Sequence, residues 1–312
     1  MNFYLIGISY KTATIDAREE LYRRRKDIFR FWENCEEIES ALLFTCNRIE
    51  IYIVSENPDQ AISRISEFKK NFQGFLGNDY FRHGRQDVFN HGLRLSLGLE
   101  SQIKGEQEIF HQLKKWAAEN SSKQYISSLW SEIFDFKQKS GVFLPLYADP
   151  INIADVVVYD LARRIGFKAP LDMMVVGTGK IAQLFSEVSM PEANINFYAH
   201  KNFSKAKIFA ERSGGRAFFL KDLYKRLSQA DILISATSSP HYILKKDSLY
   251  EAAAGRKRPL YIYDLAIPRD VEPLVKDIKM IFLQNLDDLE EVIEEIHEEK
   301  YKNWQPAKQA CN

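Results

Sequence analysis

The amino-acid sequence predicts an α/β protein in which an N-terminal α+β domain is followed by a doubly wound parallel sheet and a C-terminal helix. Three observations lead there. At 312 residues the chain exceeds the roughly 150 typical of one domain, so two are expected. Its first half mixes short β-like runs with long helical stretches. Its second half alternates short apolar runs with helical segments, the rhythm of parallel strands joined by crossover helices. A composition of 45% hydrophobic and 28% charged residues is that of a globular chain.

Phe3 to Ile8 and Ile49 to Val54 read as strands of the first domain, residues 1–146. Gly141 to Pro150, with Pro145 and Pro150, precedes the helical pattern Ile153 to Arg164 and sets a boundary near 147. The runs Met173 to Val176, Ile195 to Tyr198, Ile232 to Ser235, Leu260 to Tyr263 and Met280 to Leu283 read as strands of a second domain, residues 147–286. From Asp287 the tail reads as a helix, with Leu289, Val292, Ile293 and Ile296 on one face and glutamates on the other. Its shortness and like charges predict that this stripe packs within the chain, which is expected to be a monomer.

No apolar stretch reaches the ~18 residues of a membrane span, and Met1 to Tyr10 has no basic region or cleavage site, so a cytoplasmic protein without membrane contact is expected. Cys35, Cys46 and Cys311 are too few and too scattered for a disulfide framework or a metal site. Forty-three basic and forty-three acidic residues cancel, so an RNA partner has to meet a local patch. The densest cationic run is Arg23-Arg24-Arg25-Lys26, which equally suits a solvated helix face. No aromatic motif for stacking bases is visible.

Met173 to Val176 runs into Gly177-Thr178-Gly179-Lys180-Ile181-Ala182 and then a helix. In this G-x-G-x-x-A pattern Gly177 permits a tight turn, Gly179 lets a pyrophosphate approach, and Ala182 allows close packing, which is the Rossmann dinucleotide fingerprint. The next strand should end in Asp or Glu if it held the 2′-hydroxyl of NAD. Instead it leads into His200, Lys201 and Lys205, a carboxylate-free segment that favours the 2′-phosphate of NADPH. A solvated loop with ordinary lysines is the other reading.

Cys46 stands among Thr45, Asn47 and Arg48, hydrogen-bonding groups and a permanent cation that favour a thiolate and suit a carboxylate or ester. Out of context, a buried small hydrophobe is the commoner reading of such a residue. Cys35 and Cys311 lack this setting and read as structural.

The stretch Thr45-Cys46-Asn47-Arg48-Ile49-Glu50-Ile51-Tyr52 resembles the T-C-N-R-x-E-x-Y signature of glutamyl-tRNA reductases. Gly7 to Ala13 is similar to that family's G-x-S-H-K-T-A opening, with Tyr10 in the histidine position. The block from His91 to Glu106, the segment Ser238 to His241 and the segment Asp264 to Asp270 resemble further family landmarks in the same order. The resemblance implies that Cys46 is the nucleophile and that His91 supports the reaction, handling a proton or orienting the carbonyl. It implies that Thr45, Asn47, Arg48, Ser101, Glu106, Gln107, Glu108 and Gln112 contact the glutamyl group. Glu106-Gln107-Glu108 departs from the family's E-P-Q by placing a carboxylate where an amide is usual. Asn152 and Asp155 stand where small hydroxyl residues open the interdomain helix. Residues 287–312 correspond to the opening of a connecting helix that in the family leads to a dimerisation domain.

The implied activity is NADPH-dependent reduction of glutamyl-tRNA(Glu) to glutamate 1-semialdehyde through a Cys46 thioester. This is the first step of the five-carbon route to 5-aminolevulinate and tetrapyrroles, with glutamate-1-semialdehyde aminomutase as an implied partner. Two other readings stay open: a catalytically weakened paralogue that binds tRNA or a pathway enzyme, and a small-molecule NADP oxidoreductase wrapped like shikimate dehydrogenases. Retention of Cys46, Arg48 and His91 argues against both.

Overall fold

The computed structural model describes residues 1–33, 35, 37–140, 150–166, 170–190 and 193–301. The boundary expected near 147, Cys311 and the end of the tail lie outside the described residues. Among the described residues, contacts divide the chain into two compact units, 1–151 and 152–301.

In the first unit, β1 (Asn2–Ser9), β2 (Ile38–Phe44), β3 (Arg48–Ser55) and β4 (Tyr80–His83) form a sheet of order β2-β3-β1-β4. All neighbouring pairs are antiparallel. Successive side chains of a strand face opposite sides, and β3 uses both. Ile49, Ile51 and Ile53 join a core with Leu21, Ile28, Trp32 and Phe68, supplied by α1 (Ile15–Arg23), α2 (Arg25–Glu33) and α3 (Pro58–Asn71). Tyr52 and Val54 join the opposite core with Val88, Leu113 and Trp130, supplied by α4 (Arg85–Ser96), α5 (Glu108–Glu119) and α6 (Gln124–Ser140). Arg48 and Glu50 share the face of Tyr52, so the alternation carries two charged side chains into the interior. The two runs expected as strands are the central pair β1 and β3. The sequence reading passed over β2 and β4.

The second unit opens with α7 (Ile153–Ile165), whose N-terminus is closed by a reciprocal capping box. Asn152 Oδ1 accepts from the backbone of Ala154 and Asp155, and Asp155 Oδ2 accepts from the Asn152 N–H at 2.8 Å. Then come β5 (Leu171–Val176), α8 (Lys180–Glu187), β6 (Ala193–Ala199), α9 (Phe203–Ser213), β7 (Ala217–Phe219), α10 (Leu223–Leu227), β8 (Ile232–Ser235), α11 (Lys246–Ala253), β9 (Leu260–Asp264), β10 (Ile281–Asn285) and α12 (Glu290–Tyr301). The six strands pair in parallel in the order β10-β9-β8-β5-β6-β7, a doubly wound Rossmann sheet. Five of them match the runs read from sequence. The short edge strand β7 does not.

The tail helix begins at Glu290, after a short 3-10 turn. Leu289, Val292, Ile293 and Ile296 are all buried, and Arg163 of α7 pairs with Glu295 of α12. No helix among the described residues is long and apolar enough to cross a membrane.

Candidate active site and nucleotide loop

Cys46 and Asn47 form the tip of the β2–β3 hairpin, which Thr45 closes twice. Its N–H donates to the Arg48 carbonyl at 2.9 Å, and its Oγ1 accepts from the N–H groups of Asn47 and Arg48 at 3.3 and 3.2 Å. The Asn47 carbonyl accepts from the Tyr10 N–H, and Arg18 of α1 donates to the Cys46 carbonyl at 3.2 Å. The tip is therefore held by backbone and side-chain bonds from three segments. Asn47 Oδ1 is buried without a partner, an acceptor left for something else.

Behind the tip lies a buried charge network centred on Glu50, which is 0% exposed. Its Oε1 accepts from Arg48 at 2.9 Å and from the Tyr80 hydroxyl at 2.5 Å, and its Oε2 accepts from the Tyr52 hydroxyl at 2.8 Å. His91 Nε2 lies 2.9 Å from Oε1, which assigns the proton to Nε2 because a carboxylate only accepts. Burial acts to raise the Glu50 pKa, but His91 and Arg48 together with these hydrogen bonds hold it well below the ordinary carboxylate range. Gly7 on β1 makes the room: a Cβ there would come within 2.9 Å of Tyr80 and Glu50.

The segment after α4 folds over this network. Arg48 donates to the Glu100 carbonyl, and the Glu100 carboxylate takes Lys11 at 3.0 Å and Arg94 at 2.7 Å. The Tyr10 hydroxyl donates to the carbonyl of buried Ser101 at 3.2 Å. Ser101 also hydrogen-bonds the Glu106 carboxylate, which burial and the Glu108 charge, against Ser101 and Arg48, raise to about 7. Gln107 and Gln112 sit exposed at the start of α5.

One expectation changes. The neighbourhood of Cys46 does not favour the thiolate. Although Cys46 is exposed at the tip, surrounding protein desolvates the sulfur and Glu106 opposes a second negative charge, so the thiol is pushed up to about 11 against Arg18 and Arg48. The Arg48 cation is engaged by Glu50 and the Glu100 carbonyl. His91 is held through Nε2 by the Glu50 carboxylate. Cys35 packs against the core of α1 to α3, in keeping with a structural residue.

The sequence reading gave no site role to Glu50, Tyr80, Tyr10 or Arg18. Glu50 carried a signal, a carboxylate at an inward position of a strand. Tyr80 carried none.

In the second unit, Gly177 follows β5 with φ +123°, and a Cβ there would meet the Ala236 carbonyl oxygen at 2.3 Å. Only glycine fits this φ and this close approach, and the turn sits where strand order reverses between β5 and β8. Gly179, the N-cap of α8, faces open space, with nothing within 4 Å of a built Cβ and no side chain capping the helix. Thr178 is half-buried, Lys180 is exposed, Ile181 is half-buried and Ala182 is buried. This is the cradle a dinucleotide pyrophosphate needs: bare N–H groups with room in front of them. His200, Lys201 and Lys205 are exposed at the carboxyl end of the adjacent strand β6, and they suit a phosphate. Asp270 ties the β8 end by accepting from Ser235, the Thr237 N–H and the Thr237 hydroxyl at 2.6 to 2.9 Å. Among the described residues no group of three or more His, Cys, Asp or Glu could hold a metal.

Residues 6–141 match the family model of the glutamyl-tRNA(Glu) reductase N-terminal domain, and residues 160–292 match that of shikimate/quinate 5-dehydrogenase. The chain is 30% identical over 295 residues to the glutamyl-tRNA reductase of Methanococcoides burtonii, covering 90% of this chain and 68% of that protein. It is 27% identical over 321 residues to that of Carboxydothermus hydrogenoformans, covering 97% and 70%. Among solved structures, the glutamyl-tRNA reductase of Methanopyrus kandleri aligns with a TM-score of 0.45 at 24% identity, covering 96% of this chain and 75% of that one.

Proposed function

The chain belongs to the glutamyl-tRNA reductase family of oxidoreductases, and from that premise we propose that it reduces glutamyl-tRNA(Glu) to glutamate 1-semialdehyde through a thioester on Cys46. The observation that carries the reading is the exposed Cys46 thiol on a rigid hairpin tip beside the Glu106 carboxylate.

A thiol pushed up to about 11 needs a proton acceptor before it attacks an ester, and Glu106, at about 7, is matched to that task at neutral pH. As Glu106 takes the proton, the sulfur forms a bond to the glutamyl carbonyl carbon. The carbon–oxygen bond to the terminal ribose then breaks, and the same proton goes to the departing hydroxyl. Asn47 Oδ1, Ser101 and Gln112 are the groups offered to the glutamyl amine and side chain. The Glu50 network positions this machinery: it fixes Arg48 next to Cys46 and holds His91 as a structural proton donor.

Gly177 to Ala182 would hold the pyrophosphate of NADPH and His200, Lys201 and Lys205 its 2′-phosphate, and the cofactor would supply hydride to the thioester carbon. The Cys46 sulfur then leaves as the aldehyde forms. On this reading the first unit carries the thiol chemistry and the second the cofactor.

Incubation with glutamyl-tRNA labelled in its acyl group tests the proposal. Label should accumulate on Cys46 without NADPH and leave as aldehyde when NADPH is added. Cys46→Ser should abolish both while keeping the fold, and Cys35→Ser should change neither. Near-normal reduction by Cys46→Ser would overturn the thioester.

A further inference from the structure

One surface of the first unit has a composition that the chemistry above does not use. Three rings from three elements meet beside the hairpin tip. Phe44 ends β2, two residues before Cys46. Phe29 of α2 stacks on it with centroids 5.5 Å apart and planes 28° apart, and Tyr22 of α1 meets its edge at 6.3 Å. Phe29 is 38% exposed, and Tyr22 and Phe44 are half-buried. The Arg25 guanidinium lies 4.7 Å over the Tyr22 ring.

The cationic run divides in two. Arg23 pairs with Glu19, and Arg24 lies over Phe72 and donates to the Asn71 carbonyl. Arg25 and Lys26 have no carboxylate partner among the described residues. They stand four and three positions before Phe29, on its side of the helix.

We propose that Tyr22, Phe29 and Phe44, flanked by Arg25 and Lys26, form the stacking platform for the unpaired 3′ end of the tRNA. The inference rests on the ester substrate proposed above and deepens it. An attacked carbonyl lies within roughly 3.5 Å of the sulfur, so the ribose that bears it, and the base beyond, must rest on protein next to Cys46. Charge decides which side. Glu106 and Glu108 lie toward the segment after α4, where the cations Lys11 and Arg94 are already taken by Glu100, a surface better suited to an amino group than to phosphates. On the other side, Arg18 touches the Cys46 carbonyl, and Tyr22, one turn further along α1, leads onto the rings and onto Arg25 and Lys26, which no carboxylate among the described residues neutralises. Every base has a π-face, so rings with an arginine beside them hold single-stranded ends without reading sequence.

The test measures the affinity of an end-labelled RNA hairpin with an unpaired CCA 3′ end, against the same hairpin cut blunt. The unmodified protein should prefer the CCA hairpin. Phe29→Ala should weaken that complex about 5- to 150-fold and leave the blunt hairpin unchanged. Phe29→Leu, which retains packing volume and removes the ring, should do the same. Lys26→Glu should weaken both hairpins and reduce the salt dependence. Equal affinity for the two hairpins, no binding, or full affinity in both Phe29 variants would overturn the platform. So would a Phe29 variant that lowers the mass in light scattering while RNA affinity stays, since the rings would then contact a second copy. Reduction is read separately. If the unmodified protein binds CCA through Phe29 but reduces nothing, the platform stands and the proposed activity falls. If it reduces glutamyl-tRNA and Phe29→Ala leaves kcat/KM unchanged, the platform falls alone.

Discussion

In the Gly177 to Ala182 loop the groups facing a ligand are backbone N–H groups, and the side chains matter mainly by being absent or small. Around Cys46 the working groups are side chains: those of β3, β4 and α4 converge on the buried Glu50 carboxylate, while Arg18 of α1 and Tyr10 hold the hairpin tip and the segment after α4. A backbone site needs a turn and a helix start, both set by neighbouring residues. A side-chain site needs distant residues brought into register, and each member then depends on the others, because a charge buried without its partner is costly. The comparison predicts sharp, coupled losses in the first unit and graded ones in the second.

Among the groups around Cys46, the largest effect should come from the proposed general base. Glu106→Gln should lower reduction of glutamyl-tRNA by about 10²- to 10⁴-fold, the range for a lost general base. The unmodified enzyme should gain activity as pH rises through about 7, because Glu106 accepts a proton only when ionised, and the variant should lack that limb. Cys46, Ser101, Arg48 and Glu108 are the groups that face Glu106 in this titration. An acidic limb that survives in Glu106→Gln would assign the base elsewhere.

Next in size is the network itself. Glu50→Gln keeps the shape but leaves the Arg48 cation without its counter-charge, and urea unfolding should show a loss of about 3–5 kcal/mol. A loss below ~1 kcal/mol, the range of exposed pairs, would show that the two sites do not differ in the way described.

The smallest effect belongs to the exposed cations of the second unit. NADPH should bind more tightly than NADH by ~1–3 kcal/mol, the scale of hydrogen bonds to a charged group, and Lys201→Glu should shrink or invert that gap without altering stability. Equal affinities in the unmodified protein would remove the role given to His200, Lys201 and Lys205.

Much of the second unit was legible in the sequence for a local reason. A buried parallel strand is a continuous apolar run, and the phosphate-binding turn is spelled by residues within six positions, from Gly177 to Ala182. The edge strand β7, three residues with little periodicity, was not legible. In the first unit, contiguity likewise marked Cys46 with its neighbours Thr45, Asn47 and Arg48.

Local sequence did not determine the electrostatic state of those residues. Arg48 reads beside Cys46 as a cation that activates a thiol, yet β-strand alternation turns it inward to Glu50, and tertiary packing adds Tyr80 and His91 from other elements. For the thiol, burial and Glu106, sixty residues away in the chain, thereby outweigh the pull of Arg18 and Arg48. The rings of Tyr22, Phe29 and Phe44 are likewise a surface only after α1, α2 and β2 have packed. Backbone conformation and amphipathic pattern are encoded within a few residues, so the sequence by itself determined most of the strands and the glycine turn and marked Cys46 as the candidate thiol. Proton affinities and composite surfaces depend on burial and on distances between segments, and only the tertiary structure decided those.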